Sequence, residues 1–132
     1  MSKEKIIKTL SEYVSDRALF ALVYGSILKP SFNQQGDVDV AVYPKVYGST
    51  FKELLDLKTE LSNLIQRDAD VVFLDRADLI ITMQVLANAQ LIVNCDPNAF
   101  AEFKALKISQ YLDFKMSRAI IEKHMLKGRI YA

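Results

Sequence analysis

Residues 37–43, Asp-Val-Asp-Val-Ala-Val-Tyr, constrain the fold more than any other part of the chain. They alternate strictly, and a strand sends successive side chains to opposite faces. Val38, Val40 and Val42 therefore point one way, and Asp37, Asp39 and Ala41 point the other. The segment reads as a strand with one apolar face and, at its start, two carboxylates one pleat apart.

Helical and strand-like patterns alternate around it, which predicts an α/β or α+β domain. Residues 3–15 place Ile6, Ile7, Leu10, Tyr13 and Val14 in a stripe at helical spacing. Residues 18–24, ALFALVY, are a short apolar run and read as a buried strand that Gly25 and Ser26 end. Residues 27–36 carry Pro30, Asn33 and Gly36 and read as a loop, after one helical turn at most. Thr50 with Glu53 three residues on is a capping-box signal. The helix behind it is expected to turn Phe51, Leu54, Leu55, Leu61, Leu64 and Ile65 to one side. Residues 69–74, ADVVFL, read as a strand. Asp75 is a candidate cap for a helix to about Asn88, with Leu79, Ile80, Met83 and Leu86 inward. Residues 90–94 read as a last strand, and Asp96-Pro97 as the start of a helix running to about Gly128.

The chain has 132 residues, 51% of them hydrophobic and 25% charged, as a soluble globular domain requires. That length fits one domain able to bury a core without staples. Its one cysteine, Cys95, rules out an intrachain disulfide. With no signal-peptide pattern at the N-terminus, it points to a reducing cytoplasm. No run reaches the roughly 18 apolar residues of a membrane span. Residues 104–129 hold seven basic and two acidic residues, against ten basic and fourteen acidic elsewhere. Such a basic segment suits phosphates or an acidic partner, or is simply a solvated helix face.

Gly25-Ser26, ten residues, and then Asp37-Val38-Asp39 is the constellation that carries chemistry. Two carboxylates on one strand face repel each other, and a hard divalent cation compensates them best. Magnesium takes one or two carboxylates and completes its shell with water and phosphate oxygens. Glycine lets a backbone turn approach a ligand closely, and the N–H groups of such a turn can hold a phosphate. The Ser26 hydroxyl would add a donor. Asp70, near the start of residues 69–74, is the third acid. On a strand neighbouring the first, it would meet Asp37 and Asp39, ligate a second metal and draw a proton from an attacking hydroxyl. Asp68 is its rival but falls at the end of the preceding helix.

Gly25-Ser26, Asp37-Val38-Asp39 and Asp70-Val71-Val72, with the later strand QLIVN and a long helix containing YLDF, resemble the minimal nucleotidyltransferase family. That family is a branch of the DNA polymerase beta-like superfamily. The resemblance runs from about Leu19 to Arg118 and is similar, more narrowly, to the antitoxins of HEPN/MNT toxin–antitoxin pairs. It implies a mixed twisted sheet of about four strands flanked by helices, in a single minimal nucleotidyltransferase domain over residues 1–132. It implies two magnesium ions held by Asp37 and Asp39, Asp70 on the catalytic ion, and Gly25 and Ser26 on the phosphates of ATP. The antitoxin branch implies a HEPN ribonuclease toxin as partner in a hetero-oligomer, silenced when AMP is moved onto its tyrosine. Where many relatives have Arg-Gly after the turn this chain has Lys29-Pro30, and where many have serine before the first aspartate it has Gly36.

Other residues carry less. His124 has no partner ligands, Cys95 reads as packing, and Tyr24, Tyr43 and Tyr47 are candidates for stacking on adenine or for packing. Arg118 is a candidate phosphate or partner contact. No basic–aromatic interleaving of the kind that grips nucleic acid is present. Two other functions compete: a transferase acting on a small hydroxylated molecule, and a non-catalytic module that covers a toxin. The first usually needs an added helical domain, which this length is not expected to supply.

Overall fold

Val38, Val40 and Val42 lie on one face of a strand, and the layer they demand is present. The computed structural model describes residues 2–131 except 34 and 47, with side chains as far as residue 126. Tyr47 thus lies outside the described residues. The elements are α1 (Lys3–Val14), β1 (Ala18–Tyr24), a 3-10 turn (Gly25–Leu28), β2 (Val38–Pro44), α2 (Phe51–Ile65), β3 (Ala69–Phe73), α3 (Leu79–Ala87), β4 (Ala89–Asn94) and α4 (Pro97–Tyr131).

The four strands form one mixed sheet in the order β3-β2-β1-β4. β1 is antiparallel to both β2 and β4, whereas β2 and β3 are parallel, with α2 as their crossover. One sheet face packs Val23, Val38, Val40 and Val42 against Ile6, Leu10 and Val14 of α1 and Leu57, Leu61 and Ile65 of α2. The other gathers Phe20, Leu22, Ala41, Leu74 and Val85, with Phe100 and Phe103 of α4 against them. Phe20 stacks on Tyr43 at 4.9 Å between ring centroids, so Tyr43 is a packing residue.

Three helix starts follow the rules of capping. Ser2 accepts from Lys5 N, Thr50 from Glu53 N and Asp96 from Ala99 N. Thr50→Ala should therefore lower stability by about 1 kcal/mol, measured by urea unfolding.

Two helical faces differ from expectation. On α2 the buried row is Leu57, Leu61 and Ile65, while Phe51, Leu55 and Leu64 are exposed. The helix meets its neighbours along one row four residues apart, and Phe51 and Leu55 lie beyond its rim. Asp78, not Asp75, caps α3, accepting from Ile81 N at 2.9 Å. Asp75 instead pairs with Arg76. The buried α3 residues are Thr82 and Val85, and Ile80 is exposed. A segment apolar nearly all round has no inward face to read, and Thr82 buries its methyl because its hydroxyl donates to Asp78 O.

α4 is 35 residues long, passing through Gly128. At 1.5 Å per residue it spans about 52 Å. Only its first turns are docked. Leu112, Phe114, Met116, Ile120, Ile121, Met125 and Leu126 are all exposed. Among the described residues no helix is long and apolar enough to cross a membrane.

Candidate active site

Strand register brings two of the three candidate aspartates side by side. Asp39 pairs with Asp70 across β2 and β3, and with Tyr24 across β2 and β1; Tyr24 in turn pairs with Ala89 on β4. One row therefore crosses the sheet as Asp70, Asp39, Tyr24, Ala89. Residues in direct register share a face, with Cβ atoms about 5 Å apart. That face is the one carrying Ala41 and Tyr43. The valines on either side of Asp39 pack beneath, so the hydrophobic layer fixes which way the carboxylate points.

Asp37 falls just before β2, one residue short of the expected strand. Its carbonyl accepts the Ser26 hydroxyl at 3.0 Å. Ser26 thereby ties the turn to the start of the strand. Asp68 engages through its backbone, accepting from Val38 N at 3.0 Å, and its exposed carboxylate has no ion pair or hydrogen bond among the described residues.

Gly25 does what only glycine can. Its φ is +76°, in the left-handed region. A Cβ there would come within 2.5 Å of Asp39 Oδ2. The turn thus closes directly on the carboxylate. Beside Gly25 is a cavity of about 550 Å³, lined by Tyr24, Gly25, Leu28, Lys29, Gln84 and Asn88.

The electrostatics agree with this crowding. Burial, then Asp70, then Asp37 push the Asp39 carboxyl above its ordinary range. Burial, then Asp39, then Asp70 push the Tyr24 phenol upward too, so it stays protonated at neutral pH. One cation answers the acids directly: Lys58 of α2 lies 3.3 Å from Asp70, both about half exposed.

These donors suit a hard cation. Asp39 is crowded by negative charge and the pair offers only carboxylate oxygens. Among the described residues no three acidic, histidine or cysteine side chains converge as a ready-made cage. The Asp39–Asp70 pair is an open, all-oxygen donor set. It fits magnesium, which needs one or two carboxylates and takes its other ligands from water and phosphate. His124 is exposed on α4, and Cys95 is exposed rather than packed, its thiol set 3.5 Å from Ser15 O. Arg118 pairs with Glu122 on the solvated helix.

Sequence reasoning missed Lys58, Gln84 and Asn88. Each is an ordinary helix or cap position in the sequence, and only the packing of α2 on β3 and of α3 beside the turn brings them to this end of the sheet.

The profile of the family described as "Polymerase beta, Nucleotidyltransferase" matches residues 4–98, from α1 to the start of α4. The chain belongs to the polymerase beta nucleotidyltransferase family. Comparison with curated protein sequences finds no match. Among solved structures, this nucleotidyltransferase is similar to a toxin–antitoxin with AMP-PNP, at 23% identity and TM-score 0.73 over 95% of this chain and 99% of that one. It is similar to a chain of the tri-AMPylated Shewanella oneidensis HEPN toxin in complex with MNT antitoxin, at 23% identity and TM-score 0.67 over 93% and 95%. A third similar structure is the toxin–antitoxin MntA–HepT, at 24% identity and TM-score 0.64 over 93% and 96%. At such identities the likeness is one of fold. The four-stranded mixed sheet and long C-terminal helix of this nucleotidyltransferase are that fold.

Proposed function

We propose that the chain is an antitoxin adenylyltransferase, a single minimal nucleotidyltransferase domain over residues 1–132. It moves AMP from ATP onto a tyrosine hydroxyl of a partner HEPN-type ribonuclease toxin in the cytoplasm. The observation that carries this reading is the pairing of Asp39 with Asp70 beneath a glycine turn that leaves no room for a side chain.

In this reading Asp37, Asp39 and Asp70 would hold two magnesium ions, which would supply neutralisation of the triphosphate charge and polarisation of its α-phosphorus. The Gly25 turn, with Ser26 bracing it, positions the nucleotide so that the acceptor oxygen faces that phosphorus in line. The new bond forms between acceptor oxygen and α-phosphorus as the bond to pyrophosphate breaks. Asp70 takes the hydroxyl proton. Catalysis of this kind is mostly positioning and charge neutralisation.

A partner is supported by α4. Its outer half exposes apolar side chains together with Lys115, Arg118 and Lys123, a surface that suits a protein of opposite charge. One similar chain is solved in the complex of a tri-AMPylated HEPN toxin with MNT antitoxin, and another in the toxin–antitoxin MntA–HepT.

The test is to incubate the chain with its HEPN partner, ATP and magnesium, then weigh the partner intact. Mass added in AMP steps is the expected result. An unchanged mass, with a stable complex and a silenced toxin, overturns the transferase reading in favour of a covering module.

A further inference from the structure

Lys29 stands between two cavities. One is the space beside Gly25. The other, of about 330 Å³, has Ser2, Lys3, Lys29, Phe32, Asn33 and Arg67 in its lining. It lies where α1 begins and α2 ends, and those two helices cover the sheet face opposite Asp39.

This second cavity is built for negative charge. Among the described residues three cationic side chains line it and no carboxylate does. Among the described residues none of the three makes an ion pair. Three like charges around one small space repel each other, which a bound anion would reverse. Ser2 caps the 12-residue α1, whose first N–H groups and positive dipole end lie at the same mouth.

Arg67 gives the site its rigidity. Its Nη1 donates to Asn33 O at 2.9 Å and to Gly36 O at 3.1 Å, and its guanidinium lies 4.8 Å from the Phe32 ring centroid. Among the described residues its buried Nε has no hydrogen-bond partner. A guanidinium has five N–H donors in a planar fork, so this one is fixed in place with donors uncommitted. An uncommitted buried donor costs free energy unless something accepts from it.

We propose that this cavity binds a phosphate-class anion through Lys3, Lys29 and Arg67. Its chemistry is that of pyrophosphate, either free or as the tail of a nucleoside triphosphate reaching past Lys29. Only that choice of source rests on the nucleotidyl-transfer reading; the anion site stands without it.

The experiment titrates sodium pyrophosphate, without divalent metal, into the 15N-labelled full chain. The Lys3 and Asn33 amides and the Arg67 Nε–H are expected to shift saturably. Lys3→Glu should weaken that binding by about tenfold or more, the scale of one charge-assisted contact. The substitution places an acid at the start of a helix, where it is favourable, so unfolding does not mimic the loss. Shifts confined to Gly25–Leu28 and Asp39, or equal binding by Lys3→Glu, would overturn the site. Asp39→Asn should keep the Lys3 and Arg67 response even with transfer gone, so the two readings fail separately. With AMP-PNP and magnesium present, pyrophosphate that still titrates marks a free-anion site. AMP-PNP that produces the shifts itself and blocks pyrophosphate marks the nucleotide tail.

Discussion

Asp39→Asn should abolish AMP transfer while making the protein harder to unfold. Transfer is expected to fall by at least about a hundredfold, the scale of losing one preorganised charge-stabilising group. Labelled ATP and the partner protein measure it. The stability gain comes from the same crowding. Asp39 is held above its ordinary pKa by burial and by Asp70 and Asp37. The folded state therefore binds this proton more readily than the unfolded chain does. Its favourable contribution is fully present at acid pH, below the ordinary carboxylate value, and is lost as pH rises through the raised one. At neutral pH the wild type carries an ionised, crowded carboxylate that the amide replaces without charge. The variant should melt higher at pH 7, and the two melting curves should converge near pH 3, below the unperturbed aspartate value of about 3.9. A variant that transfers AMP at the wild-type rate removes Asp39 from the site. One that melts lower at pH 7 removes the electrostatic account.

Gly25→Ala is expected to damage both stability and transfer. A left-handed backbone costs a residue with a Cβ about 1–2 kcal/mol, and the new methyl would meet Asp39 Oδ2 at 2.5 Å. The carboxylate must swing away from the turn, out of the place it holds beside Asp70, and transfer should fall roughly a hundredfold, as a displacement on the scale of 1 Å can cost. Gly25→Asn separates the two effects. Asparagine tolerates positive φ but has the same Cβ, so stability should recover in part while transfer stays low. Urea unfolding and the mass assay read the two quantities. Full transfer by Gly25→Asn would show that the close approach to Asp39 is unimportant.

The sequence was most legible where a single rule acted without competition. The alternation from Val38 to Tyr43 told which side of the sheet the Asp39 carboxylate takes, because the valines on either side of it have nowhere to go but the core. Thr50 and Asp96 announced their helices because a cap is a local hydrogen bond. Legibility failed where distant packing decides. Nothing in LIITMQVLA distinguishes its inner side, since nearly every residue is apolar and the sheet chooses. Asp75 read as the cap, but the turn after β3 runs past it and Asp78 takes that place. Lys58 meets Asp70 through the crossover, which no local pattern encodes. The Ser26 hydroxyl donates to a carbonyl eleven positions along, a long-range contact that the Gly-Ser pair does not encode.

α4 is in effect a cantilever, clamped at Phe100 and Phe103 and bare from Leu112 to Leu126. Whatever grips its free half is held at an azimuth set by the count of residues in between, because each residue adds about 100° of rotation and 1.5 Å of reach. One residue inserted near Gln110 would leave the sheet and its aspartates untouched, yet swing the outer apolar side chains by more than a quarter-turn. Seven inserted residues would return them almost to phase at a longer reach. The bearing of a docked molecule over the carboxylates is thus written in helix length as much as in surface chemistry.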